Sequence, residues 1–275
     1  MQAPGFWHNP ADAPGGVARV LAPAAALYAA ATARRVARAP LIAPDVPVVC
    51  VGNLNIGGTG KTPTVMALVE RLAEATPHIV ARGYGGTQTG PVRVDMTTHR
   101  AHQVGDEPLL LSAFAPTWVA KARAEGVRAA LEAGAGAILL DDGFQNADVA
   151  KTLSIVVVDA ARGFGNGRVI PAGPLREPVR VGLKRADLVL SIGDPAAQDQ
   201  FTATWGDTIS VPRAMAELRP LQTGMDWTGL DTLAFAGIGH PEKFFDTLRG
   251  LGANLANTVA LDDHQPLTAA LMARM

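Results

Sequence analysis

A chain of 275 residues, 48% hydrophobic and 18% charged, can bury a full core as one large domain or two smaller ones. Its 24 Lys and Arg against 25 Asp and Glu leave a net charge of -1, so no global field attracts nucleic acid and attraction to an anionic partner has to be local. The one cysteine, Cys50, excludes an intramolecular disulfide and fits a cytosolic or cytosol-facing setting.

The chain opens on Pro4, Gly5, Pro10 and Pro14, where a secretory signal needs a basic segment and an apolar run, so no such signal is expected. Pro23 suits a first helical turn, and an Ala-rich helix with Leu27, Tyr28 and Val36 is predicted to run to Arg38, before Pro40. Its residues rise only about 24 Å, short of a hydrocarbon core of about 30 Å, so it is no membrane span. Two readings stay open. A packed helix with solvated arginines is favoured by the weak membrane affinity of alanine; an interfacial helix would set Arg34, Arg35 and Arg38 on phosphate headgroups, with Phe6 and Trp7 as anchors.

Pro47 to Glu70 is the most informative stretch. Val48 to Val51 read as a strand, and the segment Asn55-Ile56-Gly57-Gly58-Thr59-Gly60-Lys61-Thr62 follows it. Helical spacing at Val65, Leu68, Val69 and Leu72 comes next. Glycines there allow successive N–H groups to converge on phosphate oxygens at a helix N-terminus. Lys61 would reach the β- and γ-phosphates, and the Thr62 hydroxyl would ligate Mg²⁺. In the generic pattern a glycine stands where this chain has Asn55.

His78 to Arg82 reads as a second strand, placing Arg82 where ligands collect in open α/β sheets; a bland surface arginine fits equally. Pro91 to Val94 is a short strand. Asp106 and Glu107 precede a predicted helix, Leu109 to Phe114, and serve equally as caps or as base or metal contact. Thr117 to Ala120 is a strand and Ala124 to Ala133 a helix. The apolar run from Ala137 ends in Asp141 and Asp142, as a Walker B element requires, with Gly143-Phe144-Gln145 behind it. Ser154 to Asp159 is a further strand, and the Gly/Pro-rich segment Ala160 to Pro178, with Arg162, Arg168, Arg176 and Glu177, reads as a functional loop. After the strand Asp187 to Ile192 the pattern weakens from Gly193 to Gly229, a candidate boundary. Leu233 to Ala236 then starts a strand, with a helix through Phe244 to Leu251.

The motifs VGNLNIGGTGKTP, ARGYGG, GDEPLLL, DDGFQ, VVVDAARGFGNGRVIPAGPLREP, FAGIGHPEKFF and DDHQP, in this order, resemble the tetraacyldisaccharide 4'-kinase family of Gram-negative bacteria, from about Phe6 to the end. Members of that family continue with a TEKDAVK-like segment that is missing from this sequence, so an incomplete C-terminal domain is the expectation. The resemblance implies an α/β, P-loop NTPase-like, doubly wound and mostly parallel sheet with a second, smaller α/β C-terminal domain. The divisions expected are residues 1–40, 41–213 and 214–275. It implies transfer of the ATP γ-phosphate to the 4'-hydroxyl of tetraacyldisaccharide 1-phosphate, giving lipid IVA, in a cleft between the two domains. It also implies a peripheral monomer at the cytoplasmic face of the inner membrane, which raises the interfacial reading of the first helix. Asp106 and His264 match the family's catalytic pair, with Lys61 on the phosphates. Thr62, Asp141 and Asp142, with Glu177 assisting, would hold Mg²⁺. Arg82, Arg176 and Gln145 are candidate substrate contacts.

Two other phosphate-loop classes fit less well. Ile56 stands where dimerising ATPases carry a signature lysine, and no guanine-reading N/TKxD motif is present. A nucleotide-dependent membrane scaffold is the rival of another kind, and Asp106, Asp141 and Asp142 argue against it.

Overall fold

The computed structural model describes residues 3–221, 224–238, 241–261 and 268–272. Two compact units divide the chain, Pro4–Glu217 and a second one from Leu218 onward. The amino-terminal helices therefore belong with the core, and the division falls a few residues beyond the 213/214 expected.

The larger unit is built on eight strands: β1 (Val48–Gly52), β2 (Pro77–Ala81), β3 (Val92–Arg93), β4 (Thr117–Val119), β5 (Ala137–Asp141), β6 (Leu153–Asp159), β7 (Leu188–Ile192) and β8 (Arg213–Ala216). They lie in the order β3-β4-β2-β5-β1-β6-β7-β8, and only β3 runs antiparallel to its neighbour. β1, β2 and β5 are buried at every residue, which is why their sequences are continuous apolar runs without alternation. Side chains still alternate by face. Val48, Cys50, Ile138, Leu140, Val156 and Val158 share one core with Phe144, Phe164 and Phe201; Val49, Val51, Leu139, Ile155 and Val157 share the other with Val65 and Leu111.

A helix over Lys61–Arg71 covers the second face through Val65 and Val69. On the first face lies the helix Ala22–Val36, which follows a short one at Gly16–Val20 and buries Ala25 and Thr32. Exposed apolar side chains stand on both helices: Val20, at the end of the short one, is 79% exposed, and Leu27, on the longer one, 76%. Phe6 and Trp7, the anchors in the interfacial reading, are half-buried. The Trp7 indole donates to the Pro171 carbonyl at 3.1 Å, and Asn166 donates to the carbonyls of Phe6 and Trp7.

Three stretches differ from the expected pattern. Asp106 and Glu107 form the first turn of a helix, Asp106–Leu111, rather than preceding one at Leu109. A short helix, Val179–Leu183, closes the long loop. Part of the expected boundary region, Gly193 to Gly229, belongs to the sheet unit: a helix at Pro195–Trp205 leads into β8, which pairs with β7. Its cue is local, because Asp194 caps that helix by accepting from the Ala197 N–H at 2.8 Å, with Pro195 in the first turn. In the second unit two parallel strands, β9 (Asp231–Ala236) and β10 (Asn254–Ala260), flank a helix at Pro241–Gly250. Phe245 and Leu248 of that helix pack on Ala234, Ala236 and Ala253.

Gly52 ends β1 where the chain turns into the glycine-rich loop, and a Cβ there would lie 2.4 Å from the Phe144 Cβ. Both residues are buried, so neither can yield. Gly52→Ala is expected to cost about 2 kcal/mol or more and to lower the melting temperature by about 4 °C or more; a thermal melt checks it.

Candidate active site

In a parallel sheet the strand ends at the carboxyl edge are where loops can converge, and β1, β2 and β5 deliver three of the expected groups to that edge. The glycine-rich loop leaves β1 at Asn53. The Asn53 amide donates to the Gly57 carbonyl at 3.3 Å and to the Thr59 hydroxyl at 3.1 Å, bracing the loop from inside. Gly57 and Gly60 take φ of 104° and 94°, which lets the backbone turn into the helix that starts at Lys61.

Asn55 departs from the generic pattern for a visible reason. It is 7% exposed, and its amide donates to the Gly163 carbonyl at 3.1 Å. The loop backbone is also pinned to the long irregular segment: the Ile56 N–H donates to the Pro174 carbonyl at 2.8 Å, and the Arg176 N–H to the Leu54 carbonyl at 2.7 Å. A side chain at position 55 thus replaces freedom with an anchor.

Lys61 is buried to 9% exposure, and its ammonium lies 3.7 Å from Asp142. Asp142 follows β5 with φ 52°, a left-handed conformation that aspartate tolerates better than most residues. Arg176 reaches both oxygens of Asp142 at 3.0 to 3.1 Å. Burial pushes this carboxyl up, but Lys61 and Arg176 outweigh it and hold it below its ordinary range.

Asp141, one residue earlier, sits in the opposite environment. It is 3% exposed, and its Oδ1 has no hydrogen-bond partner among the described residues. Burial, reinforced by the negative charge of Glu107, raises it to about 7, against the pull of Lys61. Arg123 is the cation that the sequence reading overlooked. At 3% exposure it opens the helix Arg123–Glu132 and donates to the Asp141 carbonyl at 2.9 Å and the Ala120 carbonyl at 3.2 Å. Burial lowers this guanidinium below its ordinary value while Asp141 and Asp142 work against that. An arginine just behind a strand end was its signal in the sequence.

The segment after β2 joins the same edge. Arg82 is exposed there. The loop behind it packs on the segment before Asp106: Thr87 and Gln88 N–H groups donate to the carbonyls of His102 and Gln103, and a Cβ on Gly105 would lie 2.7 Å from the Tyr84 carbonyl. Asp106 and Glu107 are both exposed, and the Thr62 hydroxyl donates to Glu107 Oε1 at 3.3 Å. Glu107 is therefore the acid that meets the start of the phosphate-loop helix.

Glu177, Gln145 and Arg176 are brought together as braces. Glu177 is 2% exposed, and both of its oxygens accept from Arg185 at 2.9 Å. Gln145 donates to Glu177 at 3.0 Å and to the Asn53 carbonyl at 2.9 Å, and accepts from Arg176 at 3.2 Å. These groups satisfy one another, and Glu177 is not joined to Thr62, Asp141 or Asp142 by any described contact. Among the described residues no three acidic, histidine or cysteine side chains form a ready cation cage. His264 lies outside the described residues.

Comparison with known proteins places this geometry in a family. The family model described as Tetraacyldisaccharide-1-P 4'-kinase matches residues 17–275. The tetraacyldisaccharide 4'-kinase of Dinoroseobacter shibae is 65% identical across 100% of this chain and 82% of its own length. That of a Jannaschia species is 62% identical across 100% and 84%. A crystal structure of the "apo" form of LpxK from Aquifex aeolicus in complex with ATP has the same fold, with a TM-score of 0.70 at 24% identity, covering 92% of this chain and 86% of that one.

The raised Asp141 makes stability depend on pH with a definite sign. Between the ordinary carboxylate value near 4 and about 7 the folded chain holds a proton that the unfolded chain has lost, so stability falls as pH rises through that window. Without nucleotide or divalent metal, Asp141→Asn is expected to melt several degrees above the wild type at pH 8, the gap closing towards pH 4. Calorimetry across this range checks it; a gap independent of pH would contradict the assignment.

Proposed function

The chain belongs to the tetraacyldisaccharide-1-P 4'-kinase family, and we propose that the loop, lysine and acids at the carboxyl edge of its sheet carry out that family's reaction in this chain. It is an ATP-dependent kinase of lipid A biosynthesis, moving the γ-phosphoryl group to the 4'-hydroxyl of tetraacyldisaccharide 1-phosphate to give lipid IVA. The observation that supports the residue roles is the contact of Glu107 with Thr62 beside the Lys61–Asp142 pair, since it sets the Asp106 turn against the phosphate loop.

In the proposed reaction the loop amides between Gly57 and Thr62 and the Lys61 ammonium bear the phosphate charge. The acceptor hydroxyl attacks the γ-phosphorus, the bond to the β–γ bridging oxygen breaks, and ADP leaves. Asp106 takes the hydroxyl proton as the new bond forms, because a sugar hydroxyl is a poor nucleophile at neutral pH. His264 is proposed to orient Asp106 or share that proton. Arg82, exposed on the same edge, is proposed to contact phosphate or acceptor.

The donor set fits Mg²⁺. Asp141 offers a buried carboxylate oxygen without a partner among the described residues, and Mg²⁺ needs only one or two protein carboxylates beside phosphate oxygens and water. Thr62, Asp141 and Asp142 would hold it, with Glu107 beside Thr62; the ion would supply positive charge at the transferring phosphate. Glu177, Gln145 and Arg176 are assigned to bracing this edge rather than to metal or substrate.

Every group named comes from one chain, so a monomer suffices. The finer location proposed is the cytoplasmic face of the inner membrane. No helix among the described residues is long and apolar enough to cross a membrane, and the exposed side chains of Val20, Leu27, Arg34 and Arg35 on the two amino-terminal helices supply the apolar and basic groups that an interface takes up.

Incubation with γ-labelled ATP, Mg²⁺ and the tetraacylated acceptor in detergent is expected to label the lipid, and Lys61→Ala to abolish labelling. Asp106→Asn is expected to lower kcat about 100-fold or more with little change in the KM for ATP; a pure KM effect would remove the base role. Val20→Glu combined with Leu27→Glu is expected to reduce sedimentation with lipid vesicles at unchanged melting temperature, and equal sedimentation would refute the interfacial helix.

A further inference from the structure

On the core face of the sheet, where the helix Ala22–Val36 ends, an open pocket of about 350 Å³ is lined by Arg38, Lys151 and Arg185, together with Thr152, Ser154 and Asp187. Thr152 and Asp187 stand just before β6 and β7, so this end of the pocket lies towards the amino edge of the sheet, while Phe144 and Asn146 line it from the turn after β5. None of the reaction chemistry uses it.

Its charge is unbalanced. Three cations face one lining carboxylate, Asp187, which already accepts from the Ser154 N–H at 2.8 Å. Arg185 is spoken for by Glu177 from behind. Arg38 has no ion-pair partner among the described residues, and the half-buried Lys151 donates only to the Asn146 carbonyl. Burial lowers Lys151 below its ordinary value, and the neighbouring Arg185 adds to this. Asp148 and Glu177 act against this from a distance, but neither forms an ion pair with Lys151 among the described residues, and a half-buried ammonium beside a guanidinium is an arrangement that an added anion relieves.

Donors for such an anion are also in place. The Thr152 hydroxyl accepts from the Val48 N–H at 3.1 Å, which leaves its own proton to donate. The Lys151 ammonium, the Arg38 guanidinium and the Thr152 hydroxyl, with Arg185 adding positive charge from its pair with Glu177, are a set that recognises phosphoryl oxygens. We propose that this pocket binds a phosphate-bearing group, either a bilayer headgroup or a soluble phosphate, independently of the catalytic site.

Titration calorimetry with inorganic phosphate tests it in the Lys61→Ala background, where the phosphate loop is weakened. Adding Arg38→Gln and Lys151→Gln is expected to weaken phosphate binding at least tenfold at unchanged melting temperature. Should that combination fold poorly, Arg38→Gln alone alters only an exposed side chain and is expected to weaken binding about threefold. Unchanged phosphate affinity in a folded variant overturns the proposal. Vesicles of phosphatidylglycerol and of phosphatidylcholine identify the source once phosphate binding is weakened: lost preference for the anionic vesicles means a headgroup, and retained preference means a soluble phosphate.

Discussion

The Asp142 carboxylate, held between Lys61 and Arg176, is the interaction on which the rest of the site depends. It joins three segments far apart in sequence: the phosphate loop, the end of β5 and the irregular stretch that carries Arg176. Each of those segments has a second tie. Gln145 links the Asn53 carbonyl to Glu177, and the Ile56 N–H is bonded to Pro174. The loop is therefore tied at Asn53, Leu54 and Ile56 without any nucleotide, and donors held in place beforehand cost no reorganisation when charge develops in the transition state.

Neighbouring aspartates can differ this much because successive residues at a strand end point to opposite sides. Asp142 leaves the strand in a left-handed turn and finds two cations, whereas Asp141 remains in the β5 pattern with its Oδ1 unpartnered. One carboxylate is thus ionised by its ion pairs, and the other is costly to ionise until positive charge comes to it. A site that keeps an unsatisfied acid in its core gives up stability for readiness to bind a cation, a trade common where catalysis needs a strained or destabilised group.

Much of this was legible in the sequence because it is local. Glycines followed by Lys61 and Thr62 between a strand and a helix specify a phosphate loop by backbone geometry alone, and Asp141 and Asp142 close an apolar run that could only be a buried strand. What escaped was long-range. Arg123 finds the Asp141 carbonyl across the sheet, and Glu177 is claimed by Arg185 and Gln145, neither of which spacing can reveal. β8 was missed because an edge strand with exposed Met215 carries too weak an apolar pattern, although Asp194 and Pro195 announced the helix before it.

The same bracing changes how the amino-terminal segment should be understood. Phe6 and Trp7 are fastened through Asn166 and Pro171 to the long irregular loop, and a Cβ on Gly165 would lie 2.6 Å from the Trp7 carbonyl, so that contact is close. This loop in turn holds Ile56 and delivers Arg176 to Asp142. A segment that shows Val20 and Leu27 to the outside is thus also a wall of the phosphate-loop scaffold. Removing it wholesale would loosen the Lys61–Asp142–Arg176 cluster even in detergent, and a loss of activity would say nothing about membranes. Only changes confined to the exposed face separate the two contributions, because they leave the ties at Phe6 and Trp7 in place.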